Sequence, residues 1–297
     1  MIEWSVRYIS RSPGVMVNRV YTAHLTADLL DRRLLSLSAS SVRSIGRPEG
    51  VTTTECSGLK ITWPQTDHGR IKKVITRGGT RRRYCVPCFR GGDREAHCEA
   101  EEEADAAILA DACAGVLFQE QPAMLEFEWR GEMHTHFPDL LVVDGHRREF
   151  VECKRDAEGK DFLVRKRAER LKELLPQVGF GYRILTTSTI HRFAYFENAV
   201  RMRRAAKAIL YEPSWVDSLD TVGSKAHPNE VGASAVAGEV LSRIAAEERE
   251  DALFSFLFHG HLNADFSEPV TLESAVFRKA SCTEGCAWIW EIWSKQC

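Results

Sequence analysis

Apolar and polar positions along the chain change period several times. Helical spacing runs from Glu99 to about Ala114, an Ala- and Glu-rich stretch with Ile108 and Leu109 inside it and Gly115 at its end. Three strand-like runs follow, at 117–132 (LFQEQPAMLEFEWRGE), 134–146 (HTHFPDLLVVDGH) and 147–156 (RREFVECKRD), separated by turn signals such as Asp144-Gly145. A basic helix is predicted over 161–175, a strand over 181–190 and a further helix over 197–210. This order of helix, three strands, helix, strand and helix predicts an α/β core with a mixed central sheet.

The flanks are less regular. Residues 17–37 fit a helix, and 58–65 and 70–87 read as strands, the second turning at Gly78-Gly79. Arg81, Arg82 and Arg83 at the exit of that turn fit a phosphate clamp or a solvated basic surface. A polar stretch with Pro213, Gly223 and Pro228 reads as a linker. Beyond it, 230–248 and 249–260 are predicted helices, and 262–277 a short hairpin. The resulting division is an N-terminal basic region (1–83), a core (84–212), a linker (213–229) and a small C-terminal winged-helix-like domain (230–297).

Composition changes this picture little. At 44% hydrophobic and 28% charged residues the chain reads as an ordinary globular protein. No apolar run approaches the roughly 20 residues of a membrane helix, and the N-terminus lacks the apolar stretch of a signal peptide, so a cytoplasmic location is expected. The charge pattern is more informative. Residues 1–97 hold 17 Lys and Arg against 8 Asp and Glu, and residues 155–210 hold 13 against 6. Residues 230–297 reverse the sign, with 5 against 11. Basic segments in a chain of net charge −2 suit a phosphate backbone, whereas the acidic end suits a protein partner.

The candidate chemistry lies in HFPDLLVV followed by EFVECK. Side chains at i and i+2 of a strand share a face, so Glu152 and Lys154 project together while Val151 and Cys153 face the opposite layer. Pairing around Asp144-Gly145 would bring Asp139 beside Glu152. Two carboxylates and a lysine so placed suit phosphodiester hydrolysis by a hard cation. Asp139, Glu152 and the backbone carbonyl of Cys153 would ligate Mg²⁺, with Mn²⁺ able to substitute, and Lys154 would orient water or stabilise the phosphate. A surface hairpin bearing a Glu-Lys pair is the bland alternative.

A fourth acidic group is expected from the helix. From Glu103 the helical face continues through Ala106, Ala107, Ala110 and Ala114, a small apolar stripe suited to packing on a sheet. Glu103 is the first choice, Glu99 the reserve, and Glu101 reads as solvated. Several other features have both a functional and a structural reading. His134 and His136 flank the site. Arg165, Lys166, Arg167, Arg170 and Lys172 fit either a DNA-following face or a solvated one. Trp288, Trp290 and Trp293 suit packing or a partner-binding tail more than base stacking. Cys85-x-x-Cys88 with His97 and Cys98 matches no strong zinc spacing.

Together, VPCFRGGDREAHCEAEEEADAAILAD, FQEQP, HTHFPDLLVVDG and REFVECK resemble the TnsA-type endonuclease subunits of heteromeric transposases. The resemblance spans about residues 84–210 and rests on Val86-Pro87, Glu103, Gln121-Pro122, Pro138-Asp139 and Glu152-x-Lys154. It implies a PD-(D/E)xK, restriction-endonuclease-like core with Glu103, Asp139, Glu152 and Lys154 as catalytic residues. It also implies Mg²⁺-dependent cleavage of double-stranded DNA at transposon 5′ ends. The implied partners are a DDE-type transposase (TnsB-like) and an AAA+ ATPase regulator (TnsC-like). Cys88, Cys98 and Ala100 depart from the small polar residues of that pattern. The alternatives are a stand-alone restriction- or repair-type endonuclease and a non-catalytic DNA-binding assembly subunit.

Overall fold

A computed structural model describes residues 53–56, 58–64, 70–71, 83–90, 94–144, 147–208, 219, 224–225, 234–279 and 287–294. The expected N-terminal helix, the Gly78-Gly79 turn with Arg81 and Arg82, and most of the 213–229 linker lie outside these residues.

In chain order the strands and helices are β1 (Thr53–Cys56), β2 (Leu59–Thr62), β3 (Tyr84–Cys88), β4 (Arg94–Cys98), α1 (Glu101–Ala112), β5 (Leu117–Glu120), β6 (Met124–Trp129) and β7 (Glu132–His136). Then come β8 (Leu140–Val143), β9 (Arg148–Lys154), α2 (Phe162–Leu174), β10 (Gly181–Thr186) and α3 (Tyr195–Ala208). The remainder holds β11 (Ser224–Lys225), β12 (Ala235–Val236), α4 (Arg249–His259), β13 (Asn263–Ala264), β14 (Ala275–Lys279) and α5 (Ala287–Ser294). The protein is therefore a mixed α/β molecule. No helix among the described residues is long and apolar enough to cross a membrane.

A central sheet has the order β10-β9-β8-β5. It is mixed, because β8 and β5 run antiparallel to their neighbours while β10 lies parallel to β9. The parallel step needs a crossover, and α2 supplies it. Asp161 starts that helix, its side chain accepting from the backbone N–H groups of Leu163 and Val164 at 2.8 and 3.0 Å. Gly179 ends the turn after it with φ +82°, a conformation that an L side chain resists.

Two of the three expected strand runs are each two strands. The 117–132 run breaks at Gln121-Pro122, and the 134–146 run at Phe137-Pro138, so that β6 and β7 leave for a second sheet of order β1-β2-β6-β7. Proline cannot donate to a ladder, which interrupts pairing at both places. Gln121 makes the first break at φ +44°, unusual for a side-chain-bearing residue. Its N–H donates to Asp139 O at 2.8 Å and its carbonyl accepts from Ile71 N–H at 2.8 Å, which hold that conformation in place.

These strands separate two apolar layers. On one face of the central sheet, Phe118, Leu140, Val142, Val151 and Cys153 join α1, α3, α4 and α5. On the other, Leu141, Phe150 and Tyr182 pack with Leu59, Ile61, Phe127, Leu171 and Leu174 of the second sheet and α2. Burying a side chain such as Phe150 fully contributes about 2 kcal/mol. The stripe expected on α1 packs as read, with Glu103, Ala106, Ala107 and Ala110 all buried, although the helix starts at Glu101 rather than Glu99.

The C-terminal residues differ from expectation at 230–248. Instead of a helix, the described part holds β12, one helical turn at Ala237–Val240 and turns. Gly238 explains much of this. Its N–H donates to Leu272 O at 2.7 Å, and a Cβ there would stand 3.2 Å from that same oxygen. The segment is thus bonded to the 271–274 loop rather than to a following helical turn. β13 and β14 pair antiparallel, as the expected hairpin requires. Trp288, Trp290 and Trp293 lie buried on α5, and Trp290 Nε1 donates to Asp144 Oδ2 at 2.5 Å, which fits the packing reading.

Candidate active site

The β8–β9 ladder pairs Leu140 with Val151 and Leu141 with Phe150. One step further along this register sets Asp139 opposite Glu152. Two bonds continue the ladder there: Asp139 N–H donates to Val151 O at 3.0 Å, and Cys153 N–H donates to Asp139 Oδ2 at 2.7 Å. Asp139 sits just ahead of β8, so a backbone bond rather than chain flexibility aims its carboxylate.

Glu152 is buried and heavily bonded. Its Oε1 lies 2.7 Å from Lys154 Nζ and 3.2 Å from Arg167 Nη2. Its Oε2 lies 2.9 Å from His136 Nε2 and 3.5 Å from the Tyr182 hydroxyl. Lys154 is on the same face two residues along β9, as strand alternation requires, and is partly exposed. Its ammonium can therefore meet a solvent-borne ligand while paired to Glu152.

Glu103 enters from the first turn of α1. Its Oε2 accepts from Glu99 N–H at 2.9 Å, a reach-back bond that satisfies a donor at the helix start. The reserve candidate Glu99 thus lies before the helix and serves Glu103 through its backbone. Glu101 is exposed, as expected. Glu102 turns elsewhere, 3.5 Å from Arg155 Nε.

The electrostatics join these residues into one centre. Burial, then the charges of Glu152 and Glu103, push the Asp139 carboxyl well above its ordinary range, with Lys154 opposing. Burial likewise lifts Glu103 to about 7, helped by the nearby Glu99 and Glu152 charges and opposed by the Glu99 N–H and Lys154. Burial acts the same way on Glu152, but the bond and charge of His136 and those of Lys154 prevail and hold it at about 2. Lys154 is raised although burial works against its charge, because Glu152 and Asp139 outweigh that effect.

Glu103, Asp139 and Glu152 offer oxygen donors of the kind a hard divalent cation takes. Three buried carboxylates carry more negative charge than their neighbours neutralise, and the excess falls on Asp139 and Glu103. Oxygen ligands of this kind match Mg²⁺ or Mn²⁺. Among the described residues, Glu103, Asp139 and Glu152 do not bring three carboxylate oxygens within 4.8 Å of one another. Asp139 and Glu152, with the Cys153 carbonyl, therefore remain the ligand set to consider, and Glu103 stands beside it. The Cys153 side chain itself belongs to the apolar layer, where burial raises its thiol well above the usual range.

Three neighbours of Glu152 carry little signal in the sequence. His136 reads in the sequence only as flanking the site, yet its Nε2 lies 2.9 Å from both Glu152 Oε2 and the Tyr182 hydroxyl. Tyr182 gave no signal except its place in a strand beside β9, where it is the partner of Phe150. Arg167 was one of five basic residues on a helix. Helical spacing now separates them, since Arg165, Lys166 and Lys172 are exposed while Arg167 turns in to Glu152 and Arg170 to Glu128 O. His134 packs against Trp129 instead, with ring centroids 5.0 Å apart.

No protein-family model matches the chain, and a search of curated proteins finds no match.

Proposed function

We propose that this protein is a metal-dependent DNA endonuclease with a PD-(D/E)xK core, acting at transposon 5′ ends as a TnsA-like subunit of a multi-protein transposase. The observation that carries the reading is the opposition of Asp139 and Glu152 across β8 and β9, with Lys154 on the same face and Glu103 approaching from α1. The mixed sheet of β5, β8, β9 and β10 supports it, because the sequence pattern predicted an α/β core with a mixed central sheet.

In this reading Asp139 and Glu152, with the Cys153 carbonyl, hold Mg²⁺. When bound, the cation supplies Lewis-acid polarisation of the phosphate and makes water a better nucleophile at neutral pH. Lys154 presents its ammonium to the scissile phosphate and offsets charge that grows as the bond to the attacking oxygen forms. Glu103, with a carboxyl near 7, is suited to take a proton from the attacking water. The exposed Arg165, Lys166 and Lys172 of α2 offer contacts to the DNA backbone. A DDE-type transposase and an AAA+ ATPase remain the partners proposed.

A second reading has its own observation. Both Glu152 oxygens already contact protein groups, which suits a DNA-binding assembly subunit without catalysis. Strand-specific cleavage separates the two. End-labelled transposon-end duplex is incubated with Mn²⁺, the chain and a DDE-type transposase partner. The nuclease reading predicts a 5′-strand cut that Lys154→Ala and Asp139→Ala each reduce by about 100-fold or more. A cut unchanged by both substitutions, or DNA binding without any cut in the complete assembly, contradicts it. Cleavage at full rate without the transposase would favour a stand-alone restriction- or repair-type nuclease.

A further inference from the structure

The β3–β4 hairpin shows why the Cys85-x-x-Cys88 spacing is misleading as a zinc signal. Its register pairs Cys85 with His97 and Pro87 with Glu95. Strand alternation sends Val86, Cys88, Ala96 and Cys98 into the apolar layer, where all four are buried. Cys88 and Cys98 are thereby separated from Cys85 and His97 by the thickness of the hairpin. What stays together on the outer face is a different set. The ligand atoms of Cys85, Glu95 and His97 all lie within 4.8 Å of one another.

We infer that this face is a transition-metal site, with Cys85 Sγ, a Glu95 carboxylate oxygen and a His97 ring nitrogen as ligands and Zn²⁺ as the fitting ion. The donor chemistry points there. A thiolate and an imidazole select Zn²⁺ over Mg²⁺, and three protein ligands leave a fourth tetrahedral position for water. The geometry is close to closure. Ligands at Zn²⁺ bond lengths of about 2.0–2.3 Å stand roughly 3.3–3.8 Å apart at the edges of a tetrahedron. The Glu95 carboxylate and His97 Nε2 are already 3.9 Å apart. Cys85 and His97 face each other on paired strands, so the backbone sets most of the approach and only side-chain rotation is needed. Cys85 and Glu95 are exposed, which gives an ion a way in.

The site is distinct from the carboxylate centre and does not depend on the nuclease reading. An ion held by both strands would staple the hairpin that runs from Cys98 directly into α1, the helix that carries Glu103. Binding requires loss of the Cys85 thiol proton, so affinity should fall on acidification.

Cobalt(II) is the direct probe, because a thiolate ligand gives a near-ultraviolet charge-transfer band and a tetrahedral site gives intense visible bands. In the full chain and in its Asp139→Ala variant alike, one equivalent of Co²⁺ is expected to carry both sets of bands, whatever the carboxylate centre takes up besides, and Zn²⁺ should bleach them. Cys85→Ser should abolish the charge-transfer band. His97→Ala should weaken Co²⁺ binding by more than about tenfold, since it removes a ligand rather than an outer contact. Both substitutions lie on the outer face of the hairpin, and unchanged far-ultraviolet circular dichroism checks that the fold persists. Absence of the charge-transfer band in the unsubstituted chain, its survival in Cys85→Ser, or its loss in Asp139→Ala overturns the assignment.

Discussion

His136 Nε2 stands 2.9 Å from Glu152 Oε2, and the two residues belong to different sheets. β7 carries the histidine in the second sheet, and β9 carries the glutamate in the central one. The contact therefore fixes the carboxylate from across the interface between sheets. Partners of this kind, which orient a ligand without touching the metal, are commonly worth 10–100-fold in affinity, by about the amount expected here. His136→Ala should weaken Mn²⁺ binding in calorimetry by about that factor while leaving the fold intact. Tyr182→Phe should do less, because its hydroxyl is 3.5 Å from Glu152. An unaltered affinity in His136→Ala would remove the histidine from the centre.

Glu103 makes the cation-free protein sensitive to pH. Its folded-state carboxyl titrates at about 7, above its ordinary 4.5, so between these values the folded form holds a proton that the unfolded form has released. Stability from this group is then fully present below about 4.5 and is lost as pH rises through 7, by roughly 3 kcal/mol in all. Glu103→Gln removes that loss. In urea denaturation without divalent cations the variant should be more stable than the parent at pH 8, by about 2–3 kcal/mol, and should show little advantage at pH 4.5. Equal stability at pH 8 would mean that the charge of Glu103 is not confined as described.

Asp111 anchors the other end of α1. Fully buried on α1, it accepts from Phe89 N–H and Arg90 N–H at 3.0 Å each and from Arg203 Nε at 2.9 Å. It thereby ties α1 to α3 and to the loop after β3. Asp111→Ala would strand those donors, and a loss of about 3–5 kcal/mol is expected, read as a lower denaturation midpoint. A loss below about 1 kcal/mol would show that water replaces the carboxylate there.

The parts of this arrangement legible in the sequence are those set by short periods. Alternation along EFVECK places Glu152 and Lys154 together, and the turn signal read between the two strands implied a pairing whose observed register leaves Asp139 opposite Glu152. Helical spacing likewise identifies Glu103 by the alanines beneath it. What the sequence left hidden depends on pairs far apart in the chain. Nothing local shows that LFQEQPAMLEFEW crosses between two sheets at Gln121, or that His136, Tyr182 and Arg167 converge on one carboxylate. Arg94 and Glu120, paired at 2.5 Å beneath Phe118, are equally silent. The described part of 230–248 departs from its helical composition for a related reason, since Ala237 and Gly238 bond to the 271–274 loop.

The central claim is that Asp139 and Glu152 form a cation centre, and Mg²⁺ calorimetry tests it most directly. The parent chain and Asp139→Ala are compared in a Cys85→Ser background, so that the hairpin face contributes nothing. Mg²⁺ binding is expected at neutral pH, weakening on acidification as the carboxylates take up protons and disappearing in Asp139→Ala. No binding to the parent chain, or binding that the Asp139 substitution leaves unchanged, would contradict it.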